Sequence, residues 1–326
     1  MQIPLPVEKN DRVTGVEFVF IAESGTLEKQ SLLLCESIRR FGGRYADADI
    51  KILQPRRERT ISKEGREQFH ALRAEIMDLP VVSPCPEYGT GYRVMVCAVY
   101  EKYSQADCLV FLDSDSVILA EPDLELKGAD VAARPVDIKG MCTTGEGDPN
   151  DVYWRELCGV CGVDYEQIPE VTTTVDRVRI KASYNGGLTV VKPQRGLFQK
   201  TADFFLRSIR ENLAPWPDVR TAFPTGHGMV SAVGGRLWGS SQACMSLAIT
   251  ALGLSLRVLP PSLNFPLHSY VELLPTIANG EYPHISHVHY HHLFRGNHCD
   301  NPMFAGKLDV PKEAIAWLRA NTEKFA

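Results

Sequence analysis

The chain lacks a basic excess: 35 lysines and arginines stand against 40 acidic residues, a net charge of −5. That balance excludes the electropositive footprint of a nucleic-acid binder. Long hydrophobic runs are also missing. The longest near-apolar stretch, ACMSLAITALGLSL, falls short of the ~20 residues that span a bilayer. MQIPLPVEKNDRV at the start has no apolar core behind a basic cluster, so the chain reads as cytoplasmic, with at most a peripheral membrane association. No internal repeat or low-complexity tract breaks the sequence.

A disulfide framework is not expected either. The chain has nine cysteines, and most, such as Cys35, Cys97, Cys108 and Cys244, sit in apolar runs where a reduced thiol acts as a small hydrophobe. Cys158 and Cys161 have C-x-x-C spacing, but no second such pair completes a zinc site, and Cys142 and Cys299 stand alone. The pair reads as a helix end with two small residues.

What is present is an ordinary globular composition, 44% apolar and 23% charged, over 326 residues. The Pro-rich stretches are too short for interdomain linkers, so residues 1–326 are expected to form one domain. Within it, 15–135 would be a first half that includes the acidic strand, 136–295 a second half, and 296–326 a C-terminal extension wrapping back.

GVEFVFIA is a continuous apolar run typical of a strand covered on both faces. LEKQSLLLCESIRRF follows with Leu27, Leu33, Leu34, Ile38 and Phe41 at helical spacing, closed by Gly42-Gly43; DIKILQP then reads as a second strand. This βαβ unit predicts an open α/β sheet, whose ligands bind at the C-terminal ends of its strands. Residues 55–66 and 80–91 read as loops, and a helix is expected from Tyr92 to Tyr103. Later signals are YNGG as a turn before a strand, a helix over 196–212, a Pro-rich loop over 214–228, a helix near 242–252, the strand LSLRVLP and a helix from about Pro311.

The chemistry concentrates in CLVFLDSDSVIL, residues 108–119. Residues i and i+2 of an extended chain face the same way, so Asp113 and Asp115 project together at the C-terminal end of a strand expected over at least Cys108–Leu112. Like charges this close persist where something positive joins them, and a divalent cation does so. Five histidines in nine residues, His284, His287, His289, His291 and His292, add metal-binding potential late in the chain.

VFLDSDSV also fits the aspartyl-nucleophile string of haloacid dehalogenase-like phosphatases. That motif usually opens its fold, whereas here a βαβ unit precedes it. Nor does a later apolar strand end in paired acids to complete the phosphatase's metal site. Most of the chain instead resembles nucleotide-sugar glycosyltransferases of the GT-A fold, in the glycogenin and galactosyltransferase-like group. GYRVMVCAVYEKY resembles that group's "YxRL" helix, LVFLDSDSVIL its metal strand, SYNGGLTVVKP its "fNaGvmvin" and HVHYHH its late histidine strand.

The resemblance implies a three-layer α/β/α fold with a mixed, mostly parallel central sheet. It also implies a metal-dependent transferase moving a sugar from a nucleoside diphosphate donor, most readily a UDP-sugar, to a carbohydrate or other hydroxyl. Asp113, Asp115 and His289 would hold the metal, with His287 and His291 as alternatives, and Asp113 would also approach the ribose. Mn²⁺ suits two carboxylates and an imidazole better than Mg²⁺. Ala22 and Glu23 would line the nucleoside site, Arg93 the donor phosphates or sugar, and Asn185, Gly186 and Gly187 the donor sugar.

Gln242 matches the group's Asp-Gln and, with Asn185, would be catalytic, but Ser241 stands where the aspartate belongs, removing the usual carboxylate from the donor's β-face. Transfer is then either retaining, by same-face attack helped by the leaving diphosphate, or inverting, with Asp176, Glu170 or His227 as base. The acceptor would enter over residues 143–152 and 214–228, with His227, Trp216 and Trp238 as candidate contacts. Three other classes compete. One is the phosphatase. Another is a sugar-nucleotide-binding protein without turnover. The third is a nucleotidyltransferase, whose Gly-rich basic loop ESGTLEKQ does not supply.

Overall fold

The computed structural model describes residues 15–225, 228–280, 284–291, 303, 306 and 308–322; His227, His292 and Cys299 lie outside them. Strand β1 (Val16–Ile21), helix α1 (Thr26–Phe41) and β2 (Asp49–Gln54) make the expected βαβ unit, with β1 and β2 parallel. α2 (Lys63–Ala71), β3 (Ala74–Asp78), α3 (Thr90–Glu101), β4 (Cys108–Leu112), β5 (Ser116–Ile118) and β6 (Val131–Pro135) follow. Then come α4 (Asp151–Cys161), the hairpin of β7 (Glu170–Thr172) and β8 (Arg179–Lys181), β9 (Tyr184–Val191) and α5 (Leu197–Arg210).

A second hairpin, β10 (Phe223–Thr225) and β11 (Gly228–Val230), leads to α6 (Ala232–Arg236), α7 (Ser240–Ala251) and β12 (Leu256–Val258). The last elements are β13 (Phe265–Pro266), α8 (Tyr270–Ala278), β14 (His287–His289) and α9 (Lys312–Thr322).

The central sheet has the order β12-β6-β9-β4-β1-β2-β3. It is parallel except at β9, which runs antiparallel to both neighbours. Successive residues of a strand face opposite ways. Along β4, Val110 and Leu112 therefore join Phe18, Phe20 and the apolar face of α1, while Leu109 and Phe111 join Val19 and the apolar faces of α3, α5 and α7. Two cores, one on each face, make the three-layer α/β/α arrangement and explain why the central strands read as unbroken apolar runs.

Three local expectations change. Residues 55–66, read as a loop, contain a 3₁₀ turn at Arg57–Arg59 and the start of α2, which Ser62 caps by accepting from the Gly65 N–H at 2.9 Å. The YNGG segment, read as a turn, belongs entirely to β9, whose eight residues are all buried, and a register shift against β6 absorbs its irregularity. The Pro-rich loop ends in the β10–β11 hairpin. The helix-end reading of Cys158 and Cys161 holds. Both are buried in the last turn of α4 before a left-handed Gly162, and burial pushes both thiols up to about 12, where they stay protonated.

Candidate active site

β4 stops at Leu112, so Asp113 and Asp115 lie just past its C-terminal end, as expected. There the chain leaves the central sheet and enters a small one, β13-β14-β5. β14 pairs antiparallel with β5, setting His289 opposite Ser116 and His287 opposite Ile118. The Tyr290 N–H donates to the Asp115 carbonyl at 3.0 Å, and the Asp113 N–H to the Gly187 carbonyl of β9 at 2.9 Å. Backbone pairing alone therefore brings together segments that are 174 residues apart.

The carboxylate of Asp115 is 1% exposed, with His289 Nε2 3.1 Å from its Oδ1 and His291 Nδ1 3.5 Å from its Oδ2. Asp113 Oδ2 lies 4.0 Å from the same His289 nitrogen. Burial works against a charged His289, but Asp115 first, then Asp113 and Asp137, outweigh it and raise the imidazole to about 9. His287 stands outside the group that meets Asp115. Its Nδ1 accepts the Asn264 N–H at 3.0 Å, and burial lowers it to about 3, so it is neutral. Of the three histidines that the sequence period put on one face, His289 and His291 are the two that approach Asp115.

Arg93, in the first turn of α3, donates from Nη1 to Asp113 Oδ1 at 2.7 Å, and its guanidinium lies 5.5 Å from the centre of the Phe111 ring. Burial would lower its pKa, yet Asp113 raises it. A Cβ at Gly186 would stand 2.9 Å from Arg93 Nη2, so glycine is what lets β9 approach this fork. At Gly187 a Cβ would meet His289 Nδ1 at 2.8 Å, Asn264 Oδ1 at 3.0 Å and Asn185 Oδ1 at 3.1 Å. Arg93, Phe111, Gly186, Ser241 and Gln242 line one narrow cavity, with Ser241 Oγ 3.5 Å from Arg93 Nη2.

Ala22 is buried at the end of β1. Glu23 beside it is 1% exposed and takes a two-point ion pair from Arg56, whose guanidinium lies 4.5 Å over the Tyr92 ring. Asn185 donates from Nδ2 to Asp137 Oδ2 at 3.0 Å and accepts the Gly187 N–H at 2.8 Å. Two alternative bases are committed elsewhere: Asp176 accepts from the Thr173 hydroxyl and the Lys139 N–H, and Glu170 pairs with Arg179. Trp216 donates its indole N–H to the Trp238 carbonyl at 2.9 Å, and Trp238 is 40% exposed two residues before α7.

Sequence reasoning did not single out Asp137, Asn264 or His268. Asp137 follows β6 directly, at the strand end where open α/β sheets bind ligands, and that position was the available signal. Asn264 left none, since its place beside Gly187 comes from the small sheet.

Asp115, His289 and His291 each offer a ligand atom, all within 4.8 Å of one another. The Asn264 amide is buried beside them, and among the described residues neither its Oδ1 nor its Nδ2 has a hydrogen-bond partner. Buried carboxylate and imidazole donors with an orphaned amide alongside fit a hydrated divalent cation.

Comparison with known proteins places this sheet and its acidic strand end among the glycosyltransferases of the GT-A fold. Residues 18–218 match the family model described as the Rhodobacterales glycosyltransferase domain, and the chain belongs to that family. The fold is similar to that of an active-site mutant of LgtC, with a TM-score of 0.51 and 11% identity over 95% of this chain and 94% of that one. Galactosyltransferase LgtC with donor and acceptor sugar analogs aligns with a TM-score of 0.47 and 12% identity over 94% of this chain and 99% of that one. The bifunctional glycosyltransferase WbbM gives 0.49 and 13% over 98% of this chain, which spans 50% of WbbM's length. No curated protein sequence matches. Family membership decides between transferase and phosphatase for the D-x-D strand. Among the described residues, no helix is long and apolar enough to cross a membrane.

Proposed function

We propose that the chain transfers a hexose from a nucleoside diphosphate sugar, a UDP-sugar, to a hydroxyl of a carbohydrate or other acceptor with retention of configuration. Asp113, Asp115 and His289 would hold a divalent metal, Mn²⁺ in preference to Mg²⁺. The carrying observation is the convergence of both aspartates on His289 Nε2, at 4.0 and 3.1 Å, beside the fixed guanidinium of Arg93. When bound, the metal supplies positive charge against the departing diphosphate.

The chain's own groups do the rest. Arg93, held by Asp113 and Phe111, presents a preorganised fork to phosphate oxygens without reorganisation cost. Ala22 and Glu23 wall the nucleoside side. Asn185, Gly186 and Gly187 let the β9 backbone come close to the donor sugar, and Gln242 faces it from α7. The acceptor enters over 143–152 and 214–228, where Trp238 offers an exposed indole.

Retention is the reading adopted because two of the three candidate inverting bases, Asp176 and Glu170, are engaged in other contacts, while the third, His227, lies outside the described residues. In same-face attack the acceptor oxygen bonds to the anomeric carbon as the bond to the β-phosphate oxygen breaks. The acceptor's proton passes to that departing oxygen.

Thermal shift with UDP, with and without Mn²⁺, tests this reading. UDP with Mn²⁺ should raise Tm, EDTA should cancel the gain, and Asp115→Ala should lose it while keeping its circular dichroism. Stabilisation by UDP that Asp115→Ala leaves unchanged would contradict the metal assignment.

A further inference from the structure

Resting on the metal site just described, we infer that His291 adds a second imidazole, giving a site that binds a transition-metal ion before any nucleotide arrives. His291 Nδ1 points at the buried Asp115 carboxylate, 3.5 Å from Oδ2, with 27% of its side chain exposed. Its ring stacks on His289 with centroids 4.0 Å apart at 27°, and His268 meets its other side edge-on at 4.3 Å. Two aromatic neighbours thus hold the ring with Nδ1 facing the other donors.

The separations match a ligand shell. Metal–ligand distances of ~2.0–2.2 Å put neighbouring ligand atoms roughly 3 Å apart and opposite ones roughly 4.2 Å apart. The observed 3.1 and 3.5 Å, within a group spanning no more than 4.8 Å, are close to that spread. The backbone concurs. At His291 the chain turns through a left-handed conformation, φ 52°, just after β14, which brings the ring back beside His289.

A surface histidine would not need a nitrogen aimed at a buried carboxylate. Asp115, His289 and His291 offer one carboxylate and two imidazoles, and Asp113, paired with Arg93, stands 4.0 Å from His289 Nε2 as a further oxygen donor. That set suits Mn²⁺, Co²⁺ or Zn²⁺ over Mg²⁺, which prefers oxygen and relies on substrate phosphates.

The test is a calorimetric titration of the full chain with Co²⁺ and with Mn²⁺, without nucleotide and then with UDP, following the Co²⁺ visible spectrum. Wild-type protein should bind both ions without UDP, and His291→Ala should weaken Co²⁺ alone tenfold or more and alter its spectrum. His291→Asn, which tolerates a left-handed backbone, should behave likewise with an unchanged Tm in EDTA, separating ligand loss from misfolding. Equal Co²⁺ affinity and spectra in wild type and both variants would overturn the inference and leave the proposed function standing. So would wild-type binding that requires UDP. No metal binding with or without UDP would overturn both.

Discussion

At the level of single residues, the site depends on how close β9 can come. Replacing Gly187 by Ala places a methyl 2.8 Å from His289 Nδ1 between two further polar atoms, none of them the end of a long flexible side chain. Overpacking of this kind costs about 1–3 kcal/mol. Gly187→Ala should therefore lower stability in urea by that amount and weaken Mn²⁺ binding by calorimetry. Unchanged stability and affinity would show that β9 does not press on His289.

Asp148 sets an acid limit on the loop over 143–152. Burial would raise it, but the Asn150 N–H, Lys139 and Thr144 bind its ionised form and lower it to about 2. A depressed folded-state pKa contributes stability that is present above the unfolded value near 3.8 and is lost as pH falls towards about 2. Asp148→Asn should destabilise the protein by about 1–2 kcal/mol near neutral pH and flatten the loss of Tm between roughly pH 4 and 2. Parallel wild-type and variant curves across that window would show that Asp148 carries none of this acid sensitivity.

Among the elements, α9 is fastened to α1. Trp317 packs edge-on against Phe41 at 5.3 Å and donates its indole N–H to Glu36 Oε1 at 2.9 Å. Trp317→Ala should cost about 3–5 kcal/mol in chemical denaturation. A loss under 1 kcal/mol would mean α9 is not part of the cooperative core.

Elements with strong periodicity were legible in the chain: β1, α1, β2, α3, β4, α5, α7, β12 and α9 each carry an apolar run or stripe. Those that escaped reading have physical reasons. α2 buries only Gly65 and Phe69, β3 is a half-exposed edge strand, and α8 contains Pro275, a residue that normally argues against a helix interior. The site was legible in its parts, because D-x-D, the histidine run and YNGG each carry unusual chemistry. Which histidines face Asp115 was not, since that follows from the β5–β14 register and the left-handed His291. Asp137 and Asn264 became visible only when the two sheets met.

Across the molecule, the proposed site gathers at the C-terminal end of the central sheet and on the small sheet that continues it. There β1 would bring the nucleoside wall, α3 the arginine, the β4–β5 junction the acids, β9 the close backbone and β14 the imidazole. On that proposal, removing a bound cation should silence the whole assembly rather than weaken it gradually.

The decisive measurement is slow hydrolysis of a panel of UDP-, GDP- and ADP-sugars, in Mn²⁺ and in EDTA. A metal-dependent sugar transferase should release UDP from at least one UDP-sugar only when Mn²⁺ is present. That release should fall at least a hundredfold in Asp115→Ala, about 2.7 kcal/mol of lost transition-state stabilisation. Hydrolysis of simple phosphate esters, with no nucleoside diphosphate bound in the presence of metal, would contradict it.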